Sequence, residues 1–151
     1  MFKSTVICAL SLGAIASMPS VGAVTPAMQQ LITAAQGKAI AFQKAEAPVT
    51  GSFTIKQQNG KTLLVFSKDF ATNPQAPDLQ VVLMQSNTPL VGLKPPSYPL
   101  PVGRFTLVAP LKSAKGPQTY TLPAGVDVKT FGSLLIWCRM ANATLAWAPL
   151  K

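Results

Sequence analysis

Gly51-Ser52-Phe53-Thr54-Ile55-Lys56-Gln57-Gln58-Asn59-Gly60-Lys61-Thr62-Leu63-Leu64-Val65-Phe66-Ser67 is the stretch that decides the fold class. Phe53 and Ile55 alternate with Ser52, Thr54 and Lys56, a period of two that places apolar side chains on one face of a strand. Asn59-Gly60 interrupts the alternation with a dipeptide suited to a type I′ turn, whose two central residues both need positive φ. Lys61 to Ser67 returns as the second strand, so the unit reads as a β-hairpin. Outward from it, Leu79 to Gln85 forms a third strand, bounded by Asn73-Pro74 and Pro77-Asp78 before it and Asn87 after it. Leu90 to Leu93 reads as a short edge strand. Arg104 to Ala109, Thr119 to Leu122, Ser133 to Met140 and Thr144 to Ala148 supply the rest. About eight short strands punctuated by turn residues, without βαβ alternation, predict an all-β domain, a β-sandwich or barrel-like closure. No Gly-rich phosphate loop and no internal repeat accompanies them.

Upstream the pattern changes. Residues 1–23 read as a secretory signal peptide: Lys3, the apolar run Val6 to Ala16, a break at Pro19 and Ser20, then Val21-Gly22-Ala23 with small residues at the −3 and −1 positions of a cleavage site. The apolar run falls short of the roughly 20 residues that span a bilayer, so the mature form is expected to have no transmembrane segment. Residues 24–47 read as one short amphipathic helix, with Thr25-Pro26 as its start, Met28, Leu31, Ile32, Ala35, Ala39 and Phe42 at helical spacing, and Ala47-Pro48 as its end. The β domain is then residues 48–151. Cleavage after Ala23 removes Lys3 and Cys8, which lowers the formal charge from +9 to +8 and leaves Cys138 as the single cysteine. A lone thiol in an exported, oxidising setting is buried, ligated, paired with another chain, or reactive.

Composition narrows the chemistry. The chain has 151 residues, 13 Lys plus Arg, 4 Asp plus Glu and no His. The missing imidazole excludes the Ser-His-Asp triad, the Cys-His dyad, His-ligated haem and the usual zinc and blue-copper sites. Four carboxylates argue against a calcium cage or a paired-acid hydrolase. Asp78 and Asp127 read as turn caps, and no nucleophile–base pair has a defensible spacing, so a classical enzyme is not expected. The basic residues Lys56, Lys61, Lys68, Lys94, Arg104, Lys112, Lys115 and Lys129 are scattered over turns and strand ends. Export and the lack of basic–aromatic interleaving argue against nucleic acid.

The stretch Pro89 to Pro101 holds five of the 14 prolines, and reads as an extended loop covering an open sheet edge, with partner docking as the alternative. Beyond it, Phe131-Gly132-Ser133-Leu134-Leu135-Ile136-Trp137-Cys138-Arg139-Met140 carries the cysteine. Strand alternation puts Leu134, Ile136, Cys138 and Met140 on one apolar face, and Leu135, Trp137 and Arg139 on the other. An inert, buried cysteine acting as a small hydrophobe is one reading of this face.

These segments, taken in order, resemble the DM-thirteen domain, an electron-transfer domain found beside DOMON domains, in Skeletor-like animal proteins, and in single-domain exported bacterial proteins. Gly51-Ser52-Phe53 opens the hairpin; Leu64-Val65-Phe66 and Phe70 lead to Pro77-Asp78-Leu79; Gly116-Pro117-Gln118-Thr119-Tyr120-Thr121-Leu122-Pro123 and Asp127-Val128 follow; Leu135-Ile136-Trp137-Cys138 and Ala148-Pro149-Leu150 close the match. The likeness spans about residues 48–151. Met140 and Leu145-Ala146 stand where the family often has an aromatic residue and a Phe-Gly, and the proline-rich loop is particular to this chain. The resemblance implies a β-rich domain with a redox cysteine, acting as a free thiol or as a ligand to haem or a soft metal. With no His, a prosthetic group would be held through Cys138, with Met140 or Met84 as the second sulfur. Trp137 and Tyr120 are the neighbouring aromatic candidates. Two functions follow: an exported, periplasmic or extracellular, redox module serving a redox partner through Cys138, or a non-catalytic cell-envelope module whose basic surface binds an anionic polymer.

Overall fold

A computed structural model describes residues 37–151, together with Gly22 and Thr25. The signal-peptide reading and the greater part of the helix reading lie outside the described residues. Among the described residues nine strands build two antiparallel sheets: β1 (Ile40–Ala41), β2 (Gln43–Lys44), β3 (Ser52–Gln58), β4 (Lys61–Phe66), β5 (Leu79–Met84), β6 (Phe105–Pro110), β7 (Gln118–Thr121), β8 (Ser133–Cys138) and β9 (Ala143–Pro149). One sheet has the order β1-β3-β4-β7 and the other β2-β9-β8-β5-β6. The only helical element among the described residues is a 3-10 turn at Val128–Thr130, and Asp127 caps it by accepting the Lys129 N–H at 3.0 Å. The architecture is the predicted β-sandwich.

The hairpin forms as its sequence dictates. Asn59 and Gly60 take φ of 51° and 71°, and Gln58 pairs with Lys61 across the two-residue turn. Gly51, at φ 87°, lets the chain enter β3 against Phe70, whose Cα lies 2.6 Å from where a Cβ on Gly51 would stand. Phe53 and Phe66, register partners, then face inward.

The expected helix is corrected at its carboxyl end. Residues Ile40 to Lys44 are extended, with Ile40 and Ala41 paired to β3 and Gln43 and Lys44 paired to β9. This short run therefore stitches the two sheets together. Phe42 sits at the crossing, its ring 5.4 Å from Phe53, 5.1 Å from Phe66 and 5.2 Å from Phe70. Of the predicted apolar face, the described residues keep Phe42 buried and leave Ala39 exposed. Tertiary pairing outweighs a weak helical period.

β5 and β8 are buried along their whole length because both faces of their sheet are covered. Val81, Leu83, Leu134, Ile136 and Cys138 face the other sheet. Val82, Met84, Leu135 and Trp137 face outward, beneath Leu93, Leu100 and Phe105. The proline-rich loop thus covers a sheet face, where an edge cover was expected. Leu90 to Leu93 is a run of turns, with the Val91 and Leu93 amides donating to Thr88 and Leu90 carbonyls, and not an edge strand. Gly132 permits the close pass of this region: a Cβ there would meet the Gln85 carbonyl oxygen at 2.5 Å.

Candidate functional site

Cys138 is the last residue of β8, with Leu79 of β5 and Ala143 of β9 as its register partners. It is a free thiol, 1% exposed, and its S–H donates to the Pro77 carbonyl at 2.9 Å. The clasp that sets this contact lies beside it. Asp78 takes φ 52° before β5, and its carboxylate accepts from Arg139 Nε at 2.6 Å and from Gln80 Nε2 at 2.5 Å. The Arg139 amide donates to the Asp78 carbonyl at 3.1 Å. Residues 77–78 and 138–139 are therefore held at two adjacent points, and the side chain of Arg139 is engaged away from the sulfur, as strand alternation predicts.

The sulfur's surroundings are a surface cleft of about 340 Å³ lined by Glu46, Pro48, Asn73, Pro77, Cys138 and Ala143, among others. Its walls are pinned. β8 and β9 slip register between Ile136 and Trp137, leaving Leu145 outside the pairing, and the Leu145 carbonyl accepts the Ala45 and Ala47 amides at 3.0 and 3.2 Å. Across the cleft, Thr50 and Ala71 exchange backbone hydrogen bonds and Thr72 N–H donates to Ala114 at 2.8 Å. Burial of Cys138 is thus burial at the end of a strand under a groove, not at the centre of the core.

Met140 does not share that face. The strand ends at Cys138, and Met140 falls in the following turn, 74% exposed. The turn is bent by Asn142 at φ 45°, which ends the alternation that sequence spacing extended by two residues. Trp137 lies on the opposite face of β8, its Nε1 donating to Asn142 Oδ1 at 3.0 Å and its ring 4.9 Å from Phe105. Met84 belongs to that outer layer as well. Tyr120 is a core aromatic of β7, in the other sheet, 5.2 Å from Phe66. Its hydroxyl donates to Gln118 Oε1 and accepts the Lys112 amide at 2.9 Å. Burial pushes the Tyr120 phenol above its ordinary value, and the Lys112 hydrogen bond pulls in the opposite sense. The structure therefore gathers neither methionine and neither aromatic candidate around Cys138.

The donor set decides what a prosthetic group could use. Among the described residues no three of His, Cys, Asp and Glu gather as a metal-holding group. Cys138 offers one sulfur, its S–H committed to a backbone carbonyl, and Met140 is turned to solvent. These residues do not fit haem or a soft metal held by paired sulfurs, which needs two soft ligands converging on one point. Sequence reasoning missed the Asp78–Arg139 clasp and Thr72. The first had a signal: opposite charges beside the Pro-Asp-Leu and Trp-Cys segments. Thr72, with no hydrogen-bond partner for its hydroxyl, had none.

The family model described as Electron transfer DM13 matches residues 41–150. No curated protein and no solved structure gives a significant match.

Proposed function

Because the chain belongs to the DM13 electron-transfer family, we propose that it is exported and that the Cys138 thiol is its redox-active group, working by thiol–disulfide exchange with exported partners. The observation that carries this reading is the position of Cys138 in the lining of a surface cleft with pinned walls. In the exchange, Cys138 releases its proton to solvent and its Sγ attacks one sulfur of an acceptor disulfide. That S–S bond breaks, a mixed disulfide forms, and the acceptor's other sulfur leaves as a thiolate. A thiolate of a donor dithiol attacks Cys138 Sγ and frees the reduced acceptor; its second thiolate resolves the new mixed disulfide. Net, two electrons and two protons pass from donor dithiol to acceptor disulfide, and Cys138 returns to the thiol. The pinned Pro77 carbonyl holds the S–H in place until a partner's sulfur enters the cleft.

The test is the rate at which the folded protein releases thiopyridone from 2,2′-dithiodipyridine, beside Cys138→Ser. Reaction in the native state that is lost in the variant supports the reading. Reaction only after unfolding overturns it. A second reading rests on the charge: among the described residues Arg139 is the one cation in an ion pair. The unpaired lysines favour an anionic envelope polymer as a ligand. Cosedimentation with an acidic polysaccharide should weaken steeply as salt rises; retention unaffected by salt rejects this reading.

A further inference from the structure

β6 is an edge of the five-stranded sheet, paired to β5 alone. Two contacts fix the direction of its free backbone groups. The Leu79 carbonyl accepts from Leu111, on the β6 side, and the Met84 carbonyl accepts from Gly132, on the β8 side. Hydrogen-bonding direction alternates along a strand, so Leu79, Val81 and Leu83 point toward β6. Thr106, the register partner of Leu83, therefore points back at β5. Phe105 and Leu107, opposite Met84 and Val82, turn their N–H and C=O groups away from the sheet. Among the described residues no loop backbone and no side chain hydrogen-bonds to them. The other sheet edges are short or covered. β1 and β2 have two residues each, and Lys112 lies along β7, its Nζ donating to the Thr119 carbonyl at 2.6 Å. Open edges are commonly blunted with lysine, yet Phe105 to Pro110 carries no charge in a chain with 13 Lys plus Arg. Val108, bulged out of the β5 register, and Pro110 confine the pairable run to Arg104 to Val108.

We propose that β6 pairs antiparallel with β6 of a second copy of this chain, about a two-fold axis at Thr106, joining the two five-stranded sheets into one. The strand's own sequence fits this register. Phe105 stands opposite Leu107 of the second copy, and Leu107 opposite its Phe105. Each pair exchanges both N–H···O bonds, which satisfies every free backbone group of the two residues. Phe105 belongs to the outer layer, and Leu107, two residues on, shares that face. Leu107 is 46% exposed, so the ring of the second copy covers it in an aromatic–aliphatic cross-strand pair. Thr106 meets Thr106 across the axis, also a favoured pair. Arg104 falls opposite Val108, so no like charges face each other at the join. An axis at Leu107 instead would set Phe105 opposite Ala109, whose backbone groups are spent on Val81. A foreign peptide could use the same hydrogen bonds; the side chains match on both sides in one register because the partner is the same strand.

Sedimentation equilibrium of the protein from about 1 μM to about 1 mM tests the pairing. The expected result is a monomer–dimer equilibrium that tightens as salt rises, because the two basic copies repel each other at a distance. Leu107→Lys should weaken the dimer about tenfold or more, since it sets a charge against Phe105 in both pairs. At low concentration its melting temperature should match the wild type, which separates lost pairing from lost folding. A second pair of variants reads the register, both in a Cys138→Ser background. Opposed residues on the axis lie about 4.5 Å apart at Cα, within disulfide reach. Thr106→Cys should therefore cross-link two copies under mild oxidation, while Lys61→Cys, exposed in the hairpin turn, should stay monomeric. A monomer across the whole range, a dimer that Leu107→Lys leaves intact, or cross-linking no faster through position 106 than through position 61 overturns the proposal.

Discussion

Asp78 and Arg139 stand on either side of the Pro77–Cys138 contact, and their effect differs from what an ion pair usually supplies. Arg139 is well exposed, so the pair contributes only about 0–1 kcal/mol to stability. Its consequence is positional, because it ties the start of β5 to the end of β8. Asp78→Ala also takes the acceptor from the buried Gln80 amide, so it should cost about 1–3 kcal/mol in chemical denaturation, and it should raise the native labelling rate of Cys138 severalfold. Equal labelling in both proteins would show that the clasp does not control access to the sulfur. Phe42 is the opposite case, a residue whose worth is in packing. Three aromatic rings lie within 5.4 Å of its centre. Phe42→Ala should cost about 3–5 kcal/mol in chemical denaturation. A loss below about 1 kcal/mol would mean that the stitch at residues 40–44 does not bear on the core. Phe42 was legible as apolar but not as the join between two sheets, since the helical spacing put it on one face with Ala39, which is exposed.

Elements were legible where they were local. β3 and β4 follow from alternation and the Asn-Gly turn, and β5 to β9 lie within two residues of their predicted bounds. The end of β8 was not, because Met140 continues the apolar alternation and only the Asn142 turn shows where it stops. Asn142 Oδ1 accepts both the Leu100 amide at 2.9 Å and Trp137 Nε1, joining the proline-rich loop to β8. Asn142→Gly keeps the positive φ available but removes both bonds. It should cost about 1–3 kcal/mol and shift tryptophan emission to the red as the loop lifts from Trp137. Unchanged emission would mean that the prolines alone hold the cover. In β7, Tyr120→Phe leaves the Lys112 amide without its acceptor and takes one of two donors from Gln118 Oε1, which keeps the Ser113 amide, an expected loss of about 1–3 kcal/mol. The pH dependence has a definite sign. A phenol raised above 10.0 in the folded state favours its neutral form there. Its contribution is whole below the unfolded value and is lost as pH climbs through the folded one. Alkaline melting above about pH 10 should therefore be steeper in the wild type than in Tyr120→Phe.

Across the whole molecule, the charge, the absent histidine and the family were present in the chain itself. A basic chain of +9 with no His and one cysteine beyond residue 8 already excluded every imidazole-ligated site. Those properties depend on which residues occur, and folding leaves the count unchanged. Alternation and turn residues likewise determined that two or more antiparallel layers would form, since backbone pairing and side-chain direction are set within a few residues of each strand. What only the tertiary structure decided is which distant segments meet. Residues 46–48, 73–77 and 138–145 converge to make the cleft at Cys138, and nothing local to any one of them marks the others as neighbours. The same holds for the separation of Cys138 from both methionines. One extra turn after the strand and the covering of the second sheet face sent those side chains elsewhere. Periodicity describes a strand's faces, but where a strand stops and what lies over it are set by packing between segments far apart in the chain.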